Sequence, residues 1–159
     1  MEFTLDKEFI ISHPFGKSIT PNLLLDQFSY FNEWEERYRY IILLGNELPR
    51  LPDHIKDQQP SWIGCSNRMW FGHQLQKGNK LHFYGDSDAR IMRGLIAILL
   101  TCIENQSPKD LCTKDMSVFF TQLRLKDYLT IGRSSSLKIL SNKVLEIARN
   151  YLDKEAILK

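Results

Sequence analysis

Residues 94–103, with the sequence GLIAILLTCI, restrict the fold of this chain more than any other stretch. A helix built from them has almost no polar face, so other parts of the chain must surround it. Its uninterrupted apolar run, residues 95–100, is far shorter than the ~20 residues that a membrane-spanning helix needs. We therefore expect residues 89–104 to form the central buried helix of a globular domain.

A β-hairpin is predicted immediately before this helix. Residues 68–76 and 80–86 are rich in aromatic and alternating apolar residues, and the glycine-containing segment 77–79 connects them. Alternation along the two strands places His73 and His82 on opposite faces of the sheet.

Helices are predicted on both sides of the hairpin. Proline and capping residues at their starts, together with helical spacing of apolar residues, indicate helices over 21–28, 32–48, a short segment from 108, 117–123 and 134–152. The order of helices, hairpin and helices predicts an α+β fold in which a small antiparallel sheet packs against several helices. We expect a single domain over residues 1–159 with a loosely ordered segment at 1–20.

Composition excludes several classes of protein. The chain has 159 residues, of which 43% are hydrophobic and 25% charged, and its net charge is +2, which is too small to indicate nucleic-acid or membrane binding. Acidic residues come early and no apolar core follows them, so the N-terminus does not resemble a signal peptide. Three cysteines, an odd number, are expected to be separate thiols of a cytoplasmic protein.

Cys65 is the candidate for chemistry. It follows Gly64 in a predicted loop just before the first strand, where a thiol is open to other molecules. Arg68 is near enough in sequence to stabilise a thiolate, the form in which a cysteine reacts. Free cysteines are nevertheless often buried and pack as small hydrophobes, so these residues alone leave both interpretations open. Packing is the expected role of Cys102 and Cys112.

Other kinds of site find little support in the sequence. No pair of cysteines or histidines has the spacing of zinc ligands, so no metal site is expected. Phosphate-binding glycine motifs are absent. Asp86, Ser87 and Asp88 are interpreted as the source of N-capping oxygens for the buried helix. No protease-type signature surrounds Cys65.

An ordered series of motifs resembles the SufE family of sulfur-acceptor proteins, most closely its CsdE-type branch. The match extends over roughly residues 13–150 and centres on residues 64–70, GCSNRMW, similar to the family pattern G-C-x-[SN]-x-[VM]-W. The other matching segments are HPFG at 13–16, WEERYR at 34–39, LGNELP at 44–49, LHFYGDSD at 81–88 and IMRGL at 91–95. Near Arg133 the chain departs from the family, since Gly132 stands where a serine is expected and Ser136 where a glycine is expected.

The resemblance implies a sulfur relay. A cysteine desulfurase of the CsdA or SufS type, which holds pyridoxal phosphate (PLP), would pass sulfane sulfur from its own persulfide to Cys65 and be stimulated by this chain. The chain itself would be an accessory protein without a cofactor or metal, and would pass sulfur to a recipient such as an iron–sulfur scaffold. The implied fold is similar to that of the IscU scaffold. Residues expected to support the loop or bind the partner are Gly64, Asn67, Arg68, Trp70, Asp86 and Arg133.

Two other functions remain as alternatives. Cys65 could serve a stand-alone thiol enzyme, a peroxidase or hydrolase, or it could be incidental in an adaptor protein.

Overall fold

The computed structural model describes residues 11–58, 62–64, 67–127 and 129–158. The helices in these ranges are α1 Pro21–Ser29, α2 Trp34–Asn46, α3 Asp53–Gln58, α4 Arg90–Ile103, α5 Pro108–Thr113, α6 Met116–Gln122 and α7 Ile131–Leu158, with a 3-10 helix at Leu125–Asp127. The strands are β1 Trp62–Gly64, β2 Asn67–Gln76 and β3 Lys80–Ser87. They form one antiparallel sheet in the order β1-β2-β3, which confirms the predicted α+β class. None of the helices described here is both long and apolar enough to cross a membrane.

The predicted hairpin is confirmed as β2 and β3. Gly78 and Asn79 in its turn have φ angles of +78° and +59°, a region that glycine and asparagine tolerate better than other residues. His73 pairs with Phe83 in the register, which puts His82 on the opposite face of the sheet, as predicted. Strand β1 was not predicted, because three residues are too few to show an alternating pattern.

Helix α4 is the centre of the core, as predicted. Every residue from Ile91 to Ile103 is buried, and Ile96 lies against the sheet face that carries Phe71. Helix α2 crosses α4 at very short range: a Cβ atom added to Gly45 would lie 2.8 Å from the backbone nitrogen of Gly94. The two glycines thus let the helix backbones approach more closely than any side chain would allow.

The N-terminal segment is better ordered than predicted. Phe15 is fully buried and His13 is 4% exposed. Nε2 of His13 lies 2.7 Å from the carbonyl oxygen of Phe83. Loose order is therefore wrong for residues 11–20, because this segment packs against the sheet and hydrogen-bonds to it. Residues 1–10 lie outside the described part of the chain.

Two helices differ in extent from the predictions. Helix α3 was not predicted. It has six residues, and its Ile55 is buried. Helix α7 continues beyond the predicted 134–152 at both ends. At its C-terminal end, Asn79 Nδ2 donates to Glu155 Oε1 over 2.6 Å, a contact with the hairpin turn that no local pattern shows. The organisation as a single domain over 1–159 stays a prediction.

Candidate functional site

The candidate site lies at the end of the sheet where β1 leads into β2. Gly64, the last residue of β1, pairs with Asn67, the first residue of β2. Cys65 and Ser66 lie between them in sequence and outside the described residues, so the role of Cys65 stays a prediction. The described part of the site consists of side chains on the first half of β2 and the groups that contact them.

Trp70 belongs to a small apolar cluster on the sheet face turned away from α4. It is 5% exposed, and the other members of the cluster are Ile11, Leu51, Ile55 and Tyr84. Two cations lie near its ring. Nζ of Lys56 is 4.4 Å from the ring centroid and Cζ of Arg68 is 5.2 Å from it, distances at which a cation is attracted to the ring. Trp70 therefore holds two positive charges beside the start of β2.

Asp86 is a buried ion-pair partner and not the helix cap that the sequence predicted. Its side chain is fully buried and forms an ion pair with Arg93 of α4. Nζ of Lys56 lies 3.2 Å from Oδ2, and Nη1 of Arg50 lies 3.8 Å from Oδ1. The backbone N–H of Leu51 also donates to Oδ2 over 3.1 Å. The capping prediction was wrong because a carboxylate with three cations around it gains more from them than from a helix terminus.

Burial has a cost for the Arg93 guanidinium as well. Desolvation lowers the pKa of Arg93, while the charge of Asp86 opposes that shift.

The N-cap residue of α4 is Ala89, which makes no side-chain capping bond, and its own N–H donates to Ser87 Oγ over 3.2 Å. Of the three residues predicted to supply capping oxygens, Ser87 is therefore the one whose side chain accepts a hydrogen bond from the backbone at this helix start.

Arg68 and Asp88 form an exposed ion pair at the same end of the sheet. Nε of Arg68 lies 2.9 Å from Oδ2 of Asp88. The backbone of Arg68 is also bound, because its carbonyl oxygen accepts from Ser87 Oγ over 2.8 Å and from the N–H of Asp88 over 3.2 Å. These contacts join the start of β2 to the end of β3. They bring Arg68, Trp70 and Asp86 into one region.

Arg133 lies on the first turn of α7, and its guanidinium is 5.7 Å from the ring centroid of Tyr38 on α2. Within the described ranges, no ion pair or ring contact joins Arg133 to Arg68, Trp70 or Asp86. Arg133 therefore joins α7 to α2 and does not belong to the group of cations around Trp70.

The sequence analysis missed the cations that surround Asp86. Arg93 carried a usable signal, since an arginine in an otherwise apolar buried helix needs an anionic or carbonyl partner. Arg50 and Lys56 carried no such signal. They come from the segment before β1 and reach Asp86 only through the packing of α3 on the sheet.

Three buried polar side chains form a second cluster on the same sheet face: His13, His82 and Glu104. The ligand atoms they offer lie within 4.8 Å of one another, a spacing that a metal ion could bridge. Hydrogen-bond geometry argues against that use. The N–H of Phe15 donates to Nδ1 of His13 over 3.2 Å, so the proton of the neutral ring is on Nε2. Nε2 then donates to the Phe83 carbonyl and has no lone pair for a metal.

Hydrogen bonds also fix the other two members of this cluster, His82 and Glu104. Nδ1 of His82 lies 2.5 Å from Oε2 of Glu104, and Nε2 of His82 lies 2.8 Å from the carbonyl oxygen of Ile11. Oε1 of Glu104 accepts the N–H of Phe83 over 3.0 Å. Burial lowers the pKa of His13, against the opposing effect of the Glu104 charge. The cluster is a satisfied polar network that fastens residues 11–15 to the sheet.

The two described cysteines agree with their predicted packing roles. Cys102 is 5% exposed, within the main core, and burial raises the pKa of its thiol. Cys112 is partly buried and packs against the same core. A thiol with a raised pKa is a poor nucleophile at neutral pH, so Cys102 is not suited to the predicted chemistry.

Comparison with known proteins gives consistent matches. The family model "SufE: Fe-S metabolism associated domain" matches residues 22–148. The chain is 40% identical over 133 residues to the sulfur acceptor protein CsdE of Escherichia coli (strain K12), covering 84% of this chain and 90% of that protein. It is 37% identical over 134 residues to the cysteine desulfuration protein SufE of Wigglesworthia glossinidia brevipalpis, covering 84% of this chain and 93% of that protein.

Proposed function

The chain belongs to the SufE family, and we propose that Cys65 is the residue on which it accepts sulfur. The observation that carries the sulfur-acceptor function is the 40% identity, over 90% of its length, to a protein named as a sulfur acceptor. The family resemblance inferred from the motifs is thereby confirmed. Neither relative has the name of a peroxidase or hydrolase, so the stand-alone thiol enzyme gains no support.

The proposed donor is the persulfide of a cysteine desulfurase. The Cys65 thiolate attacks the outer, sulfane sulfur of that persulfide, and a new S–S bond forms on Cys65 as the donor S–S bond breaks. The donor cysteine leaves as a thiolate. The sulfane sulfur keeps its oxidation level, so the step needs no external oxidant or reductant. A second thiolate, on the recipient, removes the sulfur from Cys65 in the same way.

The charges near the start of β2 support this chemistry. Attack requires a thiolate, and positive charges close to a thiol favour its ionised form. Arg68 comes three positions after Cys65 in the sequence, and Lys56 contacts the same Trp70 ring as Arg68 does. Arg50 adds a third cation that is 65% exposed. We propose that these cations favour the anionic thiol and persulfide of Cys65.

We propose that the desulfurase and this chain have separate roles. PLP, which releases sulfur from L-cysteine, belongs to the desulfurase, and this chain is proposed to act as an accessory protein without a cofactor. It would stimulate the desulfurase by removing its sulfur. The proposed recipient is an iron–sulfur assembly scaffold, and the proposed location is the cytoplasm. Cys102 and Cys112, the two cysteines described, are free thiols, which is compatible with that compartment.

Intact-protein mass spectrometry tests the proposal. The purified chain is incubated with a PLP-loaded cysteine desulfurase and L-cysteine, and its mass is measured without reductant. A gain of one sulfur atom is expected for the wild type and for Cys112→Ser, and no gain for Cys65→Ser. Alanine release by the desulfurase is measured in parallel. It should rise when the wild type is added and should not rise when Cys65→Ser is added. Sulfur gain that persists in Cys65→Ser would refute the assignment of the acceptor residue.

A further inference from the structure

A groove of about 680 Å³ runs between α6 and the first half of α7, on the helical side of the molecule. Its volume is in the range of natural ligand-binding clefts. The apolar residues of its lining are Met116, Phe120, Leu125, Leu129, Ile131, Leu137 and Leu145. Met116, Phe120, Leu125 and Leu137 are also part of the main core, so the groove is an open edge of that core.

The groove exists because α7 presents small residues to α6. Ser134, Ser135 and Ser141 line it, at positions of α7 where larger apolar side chains would fill the space. At one end Ile131 is 88% exposed, although it lines the same groove. An apolar surface of this kind, left open beside the core, indicates a site for another molecule.

Positive charges are spread along both walls of the groove. Lys114 precedes α6 and Lys126 follows it, while Lys138 lies on α7, midway between the lining residues at 131 and 145. No ion pair involving these lysines occurs among the residues that the structure describes. The acidic lining residue, Asp115, accepts hydrogen bonds from the N–H and hydroxyl of Ser117. The rim therefore has a net positive charge.

This arrangement fits an elongated, acidic and amphipathic ligand. Along α7 the groove extends from residue 131 to residue 145, about 21 Å at about 1.5 Å per residue, or some four helical turns. A fatty acid carries one anionic group at one end, which would match only one of the separated lysines. A helix with an apolar stripe and acidic residues on both sides would match the floor and all three lysines.

We propose that this groove docks an amphipathic helix with acidic flanks that belongs to the cysteine desulfurase. The proposal rests on the proposed function, which supplies the partner. Helix α7 also contacts β1, the strand that ends immediately before Cys65. A desulfurase held in the groove would thus be bound to α7, which adjoins the strand before Cys65. The docked helix would leave the sheet face with Trp70 and Asp86 uncovered.

Binding of the cognate desulfurase, measured by isothermal titration calorimetry, tests the groove. The test variants are Lys126→Glu/Lys138→Glu, which reverses charge on both walls, and Ser135→Trp, which fills the groove from an exposed position. The matched control is Lys77→Glu at the hairpin turn. Circular dichroism melting checks that each variant is folded. We expect both test variants to bind about tenfold more weakly or worse, and Lys77→Glu to bind as the wild type does.

The outcomes separate the groove from the relay. If the wild type binds and accepts sulfur but both groove variants bind equally well, the docking proposal is overturned and the proposed function stands. If the wild type neither binds the desulfurase nor gains sulfur, both fail. A wild-type dimer that becomes monomeric in Lys126→Glu/Lys138→Glu would assign the groove to a second copy of the chain. A bound amphiphile, detected by native mass spectrometry and lost in Ser135→Trp, would assign it to a small molecule.

Discussion

Asp86 and Arg93 form a buried ion pair that joins the end of β3 to the first turns of α4. Asp86 is fully buried and Arg93 is 5% exposed. The second terminal nitrogen of Arg93 donates to the carbonyl oxygen of Leu48, just beyond α2. One guanidinium therefore connects the sheet, the central helix and the segment that leads to α3. It also positions the carboxylate that Arg50 and Lys56 contact.

Removing one partner of this ion pair should be strongly destabilising. Asp86→Ala leaves the Arg93 charge buried without its anion, and we expect a loss of ~3–5 kcal/mol in the free energy of unfolding. Urea denaturation followed by circular dichroism measures it. Asp88→Ala is the control, since its ion pair with Arg68 is exposed and should contribute less than about 1 kcal/mol. Equal losses in the two variants would contradict the structural role of Asp86.

Gly94, in the N-terminal half of α4, should not tolerate a side chain. Gly94→Ala would normally stabilise a helix by about 1 kcal/mol, but here the new Cβ would meet the backbone of Ile41. We expect a net loss of ~1–3 kcal/mol in the free energy of unfolding, because two packed helices must move apart. Differential scanning calorimetry measures the change in Tm. Gly132→Ala, in the exposed first turn of α7, is the control and should not lower Tm.

Stability should fall on mild acidification because of His13. Its pKa is lowered from 6.5 in the folded protein, so the unfolded chain binds the proton more readily. The stabilisation is complete above the unfolded pKa and is lost as the pH falls through the lower folded pKa. His73, whose pKa burial also lowers, acts in the same direction.

Urea unfolding at a series of pH values between neutral and mildly acidic measures this dependence. His13→Gln should lower stability at neutral pH and reduce the slope of stability against pH. His54→Gln, at an exposed position of α3, controls for the loss of a histidine. A slope unchanged by His13→Gln would show that another group is responsible.

The cations around Trp70 should influence the reactivity of Cys65. Lys56→Gln and Arg68→Gln each remove a positive charge, so less of the thiol would be ionised at neutral pH. We expect iodoacetamide to alkylate Cys65 about two- to fivefold more slowly in each variant. Peptide mapping by mass spectrometry quantifies alkylation at Cys65 separately from Cys102 and Cys112. Lys77→Gln, remote from Trp70, should react at the wild-type rate; equal slowing there would reject a local effect.

The elements that local patterns describe were predicted well. The hairpin alternates in a way that a helix does not, and the apolar segment of α4 could only be buried, so both were found within a few residues. The short elements were missed because β1 and α3 contain too few residues for a periodicity to emerge. Their positions are set by what they pack against.

The candidate site, like the fold, was predicted only in part. Motif order in the sequence identified the family and singled out Cys65, Arg68 and Trp70. It misjudged Asp86, because a carboxylate before a helix resembles a cap until its distant neighbours are known. Lys56 was overlooked, since its contact with the Trp70 ring joins residues that are separated by β1.

The sequence by itself determined the class of the fold and the family, because apolar periodicity and motif order are properties of neighbouring residues. Only the tertiary structure decided which buried polar and charged groups pair with each other. The free energy of a buried carboxylate or imidazole depends on groups that folding brings to within about 4 Å, as with Asp86 and Arg93 or His82 and Glu104. Those partners come from distant parts of the chain, and packing alone brings them together.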